Sequence, residues 1–241
     1  MARELLLPLI CEAKQRSFRK WSSYFIERYQ VAAPLLRTQL DSFPIPTENE
    51  LQSIVDDTPE LLLHGLMDGY YGVASTRSCL YPKFPLGSQF QTDYLFCNSS
   101  SRGIGCTFVE LERSDSPLFS KNGDPSKYLT HAIRQVNDWA TWLDNNRAYA
   151  EASIRQALAE SPQFEWPDTF FRKPFQFVVV IGRRSMLSRE TNMRRNQICG
   201  SQSGLNIITW DRLCDDYMFD KAEPLKADDA RVAREFAPDD L

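Results

Sequence analysis

The sequence predicts an α/β protein in which a mixed central sheet is flanked by helices. Three observations carry that expectation. "FQFVVVIG" (175–182) is a continuous apolar run with three adjacent valines, the pattern of a strand buried on both faces. "GSQFQTDYLFCN" (87–98) and "GCTFVELER" (105–113) read as strands joined by the Ser/Gly-rich turn "SSSRGIG", so they form a hairpin. Between the hairpin and the valine run lies a long segment whose apolar residues recur at helical spacing: Leu129, Ala132, Ile133, Val136, Ala140 and Leu143.

The other elements follow in order. Residues 3–40 carry Leu6, Ile10, Phe18, Trp21, Phe25, Tyr29 and Val31 among many polar residues and read as helix, with Pro34 expected to break or restart it. "DSFPIPTENE" (41–50) is a linker because Pro44 and Pro46 disfavour helix. Thr47 and Glu50 then form a capping box, and Leu51, Ile54 and Val55 supply the apolar stripe of a new helix. A short helix around "TPELLLHGL" ends near Gly65. "SDSPLFSKNGDPS" (114–126) is a loop, and Asp124-Pro125 suits an N-cap followed by an N1 proline. The helix it opens extends, with a break, to about Ala159. "GLNIITW" (204–210) is a further strand and "DRLCDDYMF" (211–219) a terminal helix. The expected organisation is an N-terminal helical segment (1–45), a core domain (46–220) and a flexible tail (221–241) that holds six acids and two prolines.

Composition excludes several classes. The 241 residues, 42% hydrophobic and 25% charged, suit a globular protein with a real core. The six cysteines form no C-x-x-C pair, and two histidines are too few for a histidine-rich metal site. The apolar run "LLLPLI" is short for a signal peptide, and no run approaches the ~18 residues of a membrane span. The expected location is the cytoplasm, with reduced thiols.

The chemistry concentrates at "FVELER" (108–113). Residues two apart on a strand share a face, so Glu110 and Glu112 point the same way and Arg113 points away. If the hairpin pairs, Asp93 on the preceding strand lies close to Glu110. Two or three carboxylates form an oxygen-rich site suited to Mg²⁺ or Mn²⁺. The plainer alternative is that these are solvated acids at strand ends. A second feature is "IGRRSMLSRETNMRR" (181–195), where Arg183, Arg184, Arg189, Arg194 and Arg195 face one acid in a chain of net charge −4. Phosphate contacts are a natural use for such a cluster, and a solvated face is the alternative.

These motifs, in this order, resemble the PD-(D/E)xK restriction-endonuclease-like core and, more closely, the nuclease domain of the Shedu anti-phage defence family. "ENELQSIVDDTPELL" is similar to the family's opening helix, and "GSQFQTDYLF" to the strand bearing its first metal-binding aspartate, here Asp93. "VELERSDSPLF" is similar to its E-L-K-R-P strand and loop, which makes Glu110 the second ligand. "SKYLTHAIRQVNDWATWL" is similar to the helix with an A-x-x-Q-V pattern, which puts Gln135 near the site. "VVVIGRR" and "NIITWDRLCDDY" are similar to the closing strands, and the likeness spans about residues 47–217. The resemblance implies a Mg²⁺-dependent (or Mn²⁺-dependent) endodeoxyribonuclease acting on double-stranded DNA, and a homo-oligomer. It departs from the family at Glu112, where the pattern has a lysine that orients the attacking water and stabilises charge. Either Glu112 is a third metal ligand or a base, or the fold binds nucleic acid without cutting it. Lys121 and Lys127 are nearby lysines to be weighed as replacements, against a plain role as solvated loop charge.

Overall fold

The computed structural model describes residues 18–66, 78–100, 103–160, 170–172 and 174–215. The tail and the first seventeen residues lie outside that set. A five-stranded mixed sheet runs through the centre in the order β1-β4-β5-β6-β7. Its strands are β1 (Ser78–Pro82), β4 (Tyr94–Ser100), β5 (Gly103–Leu111), β6 (Gln176–Val180) and β7 (Leu205–Ile208). Pairing is antiparallel for β1/β4 and β4/β5, and parallel for β5/β6 and β6/β7. The predicted hairpin is β4–β5, paired from Tyr94↔Val109 to Ser100↔Gly103. The valine run is β6, an interior strand between β5 and β7, buried from Phe177 to Val180. A two-stranded ribbon, β2 (Pro85–Leu86) with β3 (Phe90–Gln91), precedes β4.

Alternation along the strands sorts the core into two layers. Leu80, Tyr94, Phe96, Val109, Leu111, Val178 and Val180 pack with α1 (Phe18–Leu40), α2 (Glu48–Asp57) and α3 (Glu60–Leu66). On the other face Tyr81, Leu95, Phe108, Phe177, Val179 and Ile207 pack with α4 (Lys127–Asn145) and α5 (Arg147–Glu160). The predicted stripe of α4 is the one buried: Leu129, Ala132, Val136 and Leu143, with Trp139 added and Ile133 and Ala140 at its margin. The break before α5 falls at Asn146, whose N–H caps Trp142 O.

Several expectations need correction. Pro34 does not break α1, which runs on to Leu40 because Tyr29, Ala32, Ala33, Leu36 and Leu40 are all buried in the core. Packing along that face outweighs the one hydrogen bond a proline forfeits. Asp124 is not the N-cap of α4. Its carbonyl accepts the Ser120 N–H at 2.8 Å, and Ser126 caps instead, its hydroxyl accepting from Leu129 N–H. "GSQFQTDYLFCN" is two strands, interrupted at Thr92–Asp93. The expected terminal helix is, over its described part, a 3₁₀ turn at Trp210–Cys214. The Thr47/Glu50 capping box is present in full, with Thr47 N–H donating to Glu50 Oε2 at 2.7 Å. The segment 181–195 divides into a 3₁₀ turn (Arg184–Met186) and the start of α6 (Arg189–Ser201).

Candidate acidic site at the end of the hairpin

The kink at Thr92–Asp93 is what builds the site. Thr92 N–H donates to Phe84 O at 2.9 Å, and Lys83 N–H donates to Asp93 O at 2.7 Å, so the β1–β2 connection folds back onto the start of β4. Lys83 is the one described non-glycine residue with a left-handed backbone, at φ 50°. Such a conformation is uncommon for a side-chain-bearing residue and persists where neighbours fix it. Here it directs the Lys83 ammonium onto Asp93 Oδ1 at 2.5 Å. The other oxygen, Oδ2, accepts the Leu111 N–H at 2.7 Å, which bonds Asp93 directly to the strand that carries Glu110. Asp93 and Glu110 both lie on the α4 side of the sheet by strand alternation, as Leu95 and Phe108 do.

Glu110 is only 8% exposed, pairs in register with Val179, and has no hydrogen-bond donor on its carboxylate among the described residues. Burial, then the charges of Asp93, Glu112 and Glu48, push its pKa up to about 9, with Lys83 opposing. Glu112 lies just past the end of β5. Its N–H donates to Val180 O at 2.9 Å, and its carbonyl accepts the Trp210 indole N–H at 2.7 Å, so the backbone is pinned from two sides. Burial, then Glu48 and Asp93, raise the Glu112 carboxyl to about 7. Glu48, in the first turn of α2, is half-buried and raised by burial and by Asp93, while Lys83 and Arg113 pull it back. Arg113 is held by a two-pronged pair with Asp115, at 2.7 and 2.5 Å, and its charge still reaches Glu48. The chain beyond Arg113 is fixed by Gly182, whose N–H donates to Arg113 O. Its φ of 63° and a Ser116 carbonyl 2.5 Å from where a Cβ would stand both require glycine.

Asp93, Glu110 and Glu112 thus lie within electrostatic reach of one another, and Glu48 and Lys83, which sequence reasoning missed, join them. Glu48 is overshadowed by its neighbour Glu50, whose capping role is its whole described environment. Lys83 lies between two strands that no alternation pattern announced. The hard carboxylate oxygens, and a buried Glu110 carboxylate with no described donor, fit Mg²⁺ or Mn²⁺ in chemistry. Among the described residues, however, no three His, Cys, Asp or Glu side chains converge as an assembled ligand set. Gln135 is half-buried on α4 and makes no described hydrogen bond to these acids. Lys121 and Lys127 are exposed, and the Lys127 ammonium lies over the Tyr128 ring.

The five arginines have different fates. Arg183 is structural, bonding Asp211, Asp41 and the Leu40 carbonyl and so tying the end of α1 to the last 3₁₀ turn. Arg194 bonds Gly123 O and Glu190. Arg184 pairs with Asp215 at the rim of a cavity that Arg189 and Arg195 also line.

No described helix is long and apolar enough to cross a membrane. Comparison with curated proteins gives no significant match. The family model described as Shedu protein SduA, C-terminal, matches residues 20–214, from within α1 to the last 3₁₀ turn. That span takes in every element of the acidic site, and the chain therefore belongs to the Shedu anti-phage defence family.

Proposed function

We propose that this chain is a Mg²⁺-dependent (or Mn²⁺-dependent) DNA endonuclease of phage defence, with Asp93, Glu110, Glu112 and Lys83 as its working groups. The observation that carries the reading is the Lys83 ammonium on Asp93. It supplies, from a different element, the positive charge that Glu112 cannot. Asp93 and Glu110 would hold the ion, with Glu112 completing the set or acting as base. The ion supplies positive charge against the phosphate oxygens and makes a water easier to deprotonate.

The chain's own groups divide the remaining work. Hydrolysis forms a bond from water oxygen to phosphorus and breaks the bond to the leaving deoxyribose oxygen. The attacking water gives up a proton, and the leaving oxygen gains one. Glu112, with its carboxyl raised to about 7, is matched to accept the water's proton near neutral pH. Lys83, about half exposed at its side chain, can meet charge developing on the phosphate from the solvent side. Leu111 N–H holds the Asp93 carboxylate in place through the reaction.

One observation favours a second reading, a nucleic-acid-binding module that does not cut. Both Asp93 oxygens are already occupied, by Lys83 and by Leu111 N–H, and the acids are not gathered as ligands. The two readings separate in a cleavage assay on linear and supercoiled DNA with Mg²⁺ or Mn²⁺, comparing wild type with Glu110→Ala and Glu112→Lys. The nuclease reading expects cutting by wild type that Glu110→Ala abolishes. Cutting by Glu112→Lys alone identifies a silenced nuclease fold, and salt-sensitive DNA binding with no cutting by either supports the binding module.

A further inference from the structure

At the β7 edge of the sheet, α6 and β7 line a half-open cavity of about 390 Å³ that contains none of the clustered acids. Its walls are the start of α6 with Ser188, Arg189 and Arg195, the β7 residues from Asn206 to Ile208, and Arg184 and Arg212 from the two 3₁₀ turns. Four arginines line it, and none of its lining residues is acidic. Among the described carboxylates beside the lining residues, Asp215 pairs with Arg184, Asp211 takes Arg183 and the Arg184 N–H, and Glu190 takes Arg194.

Arg195 is the informative residue. Its Nε is buried with no hydrogen-bond partner, and its one described contact is Asn196 Oδ1 at a long 3.4 Å. Burial, and then the like charges of Arg184 and Arg212, lower its pKa, with Cys199 opposing. A half-buried guanidinium left short of acceptors among other cations is costly unless something anionic completes the site. The forked donors of arginine match the oxygens of phosphate, and the first turn of α6 adds the positive end of a helix dipole. The volume is several times the ~30 Å³ share of a water and admits a phosphate with part of the group that bears it.

We propose that this cavity is a phosphate-binding site, distinct from the acid cluster, with Arg189 and Arg195 as its principal contacts. The phosphate is borne either by a free phosphorylated small molecule or by the backbone of a polynucleotide. The site does not depend on the acids being catalytic, so its failure and theirs are separable.

Isothermal titration of the full chain with inorganic phosphate tests it. Wild type is expected to show one saturable site, Arg189→Gln and Arg195→Gln each to weaken it at least tenfold, and Arg134→Gln, an exposed arginine of α4, to leave it unchanged. Arg189 is exposed, so its variant keeps the fold even if Arg195→Gln disturbs packing. A duplex oligonucleotide lacking terminal phosphates assigns the source: phosphate that competes with duplex points to the backbone, and phosphate that binds without competing points to a small molecule. Absence of saturable binding, or equal binding in wild type and both cavity variants, overturns the proposal.

Discussion

Replacing Glu110 by glutamine should make the protein more stable at alkaline pH and remove most of its pH dependence there. The sign follows from linkage. The Glu110 carboxyl is raised in the folded state from 4.5 to about 9, so the folded protein holds a proton that the unfolded chain releases. The stability this gives is fully present below about pH 4.5 and is lost as pH rises towards 9. One pK unit corresponds to about 1.4 kcal/mol. The whole shift would set a ceiling of about 6 kcal/mol, and sharing of charge among the neighbouring acids brings the expectation to about 2–3 kcal/mol between pH 5 and 9. Urea unfolding in EDTA at half-unit pH steps measures it. Wild type should lose stability steadily across that window, while Glu110→Gln should keep only the decline that Glu112 contributes up to about pH 7, run nearly flat above it and lie above wild type there. Adding Mg²⁺ at pH 8 should raise the wild-type midpoint and leave Glu110→Gln where it was. Parallel curves for the two proteins at every pH would refute the reasoning, because Glu110 would then not carry the cluster's proton.

Three further outcomes are expected. Arg183→Ala should destabilise by about 2–3 kcal/mol, since it removes charged hydrogen bonds to Asp41, Asp211 and Leu40 O, while changing DNA affinity little; thermal unfolding and a filter-binding assay read the two effects. Gly182→Ala should cost about 1–3 kcal/mol, because φ of 63° strains alanine and its Cβ would meet the Ser116 carbonyl, and circular dichroism melts check it. Thr47→Ala should cost about 1 kcal/mol by removing the capping hydroxyl of α2, as measured by urea unfolding.

Much of this architecture was legible because hydrophobic period and turn chemistry are local signals. Three adjacent valines fixed β6 as a central strand, 3/4 spacing fixed the buried face of α4, and the Thr47/Glu50 pair fixed the start of α2. The nearness of Asp93 to Glu110 was readable for a similar reason, since one short turn determines hairpin register. What escaped was non-local. Pro34 lies in a helix because a distant core covers its neighbours, and no pattern within α1 reports that core. Lys83 reaches Asp93 only because a ten-residue excursion returns on itself through backbone bonds. The arginine run showed charge, but not that Arg183 ties off α1 while Arg195 faces a cavity.

The proposed chemistry stands on Lys83 supplying the positive charge missing at position 112. The rate of Mg²⁺-dependent DNA cleavage by Lys83→Met, and by Lys83→Met combined with Glu112→Lys, tests it most directly. Lys83→Met should lose about 10²–10³-fold, the usual cost of removing one transition-state donor, and the combined variant should recover much of that loss. Cleavage by Lys83→Met at the wild-type rate would contradict it.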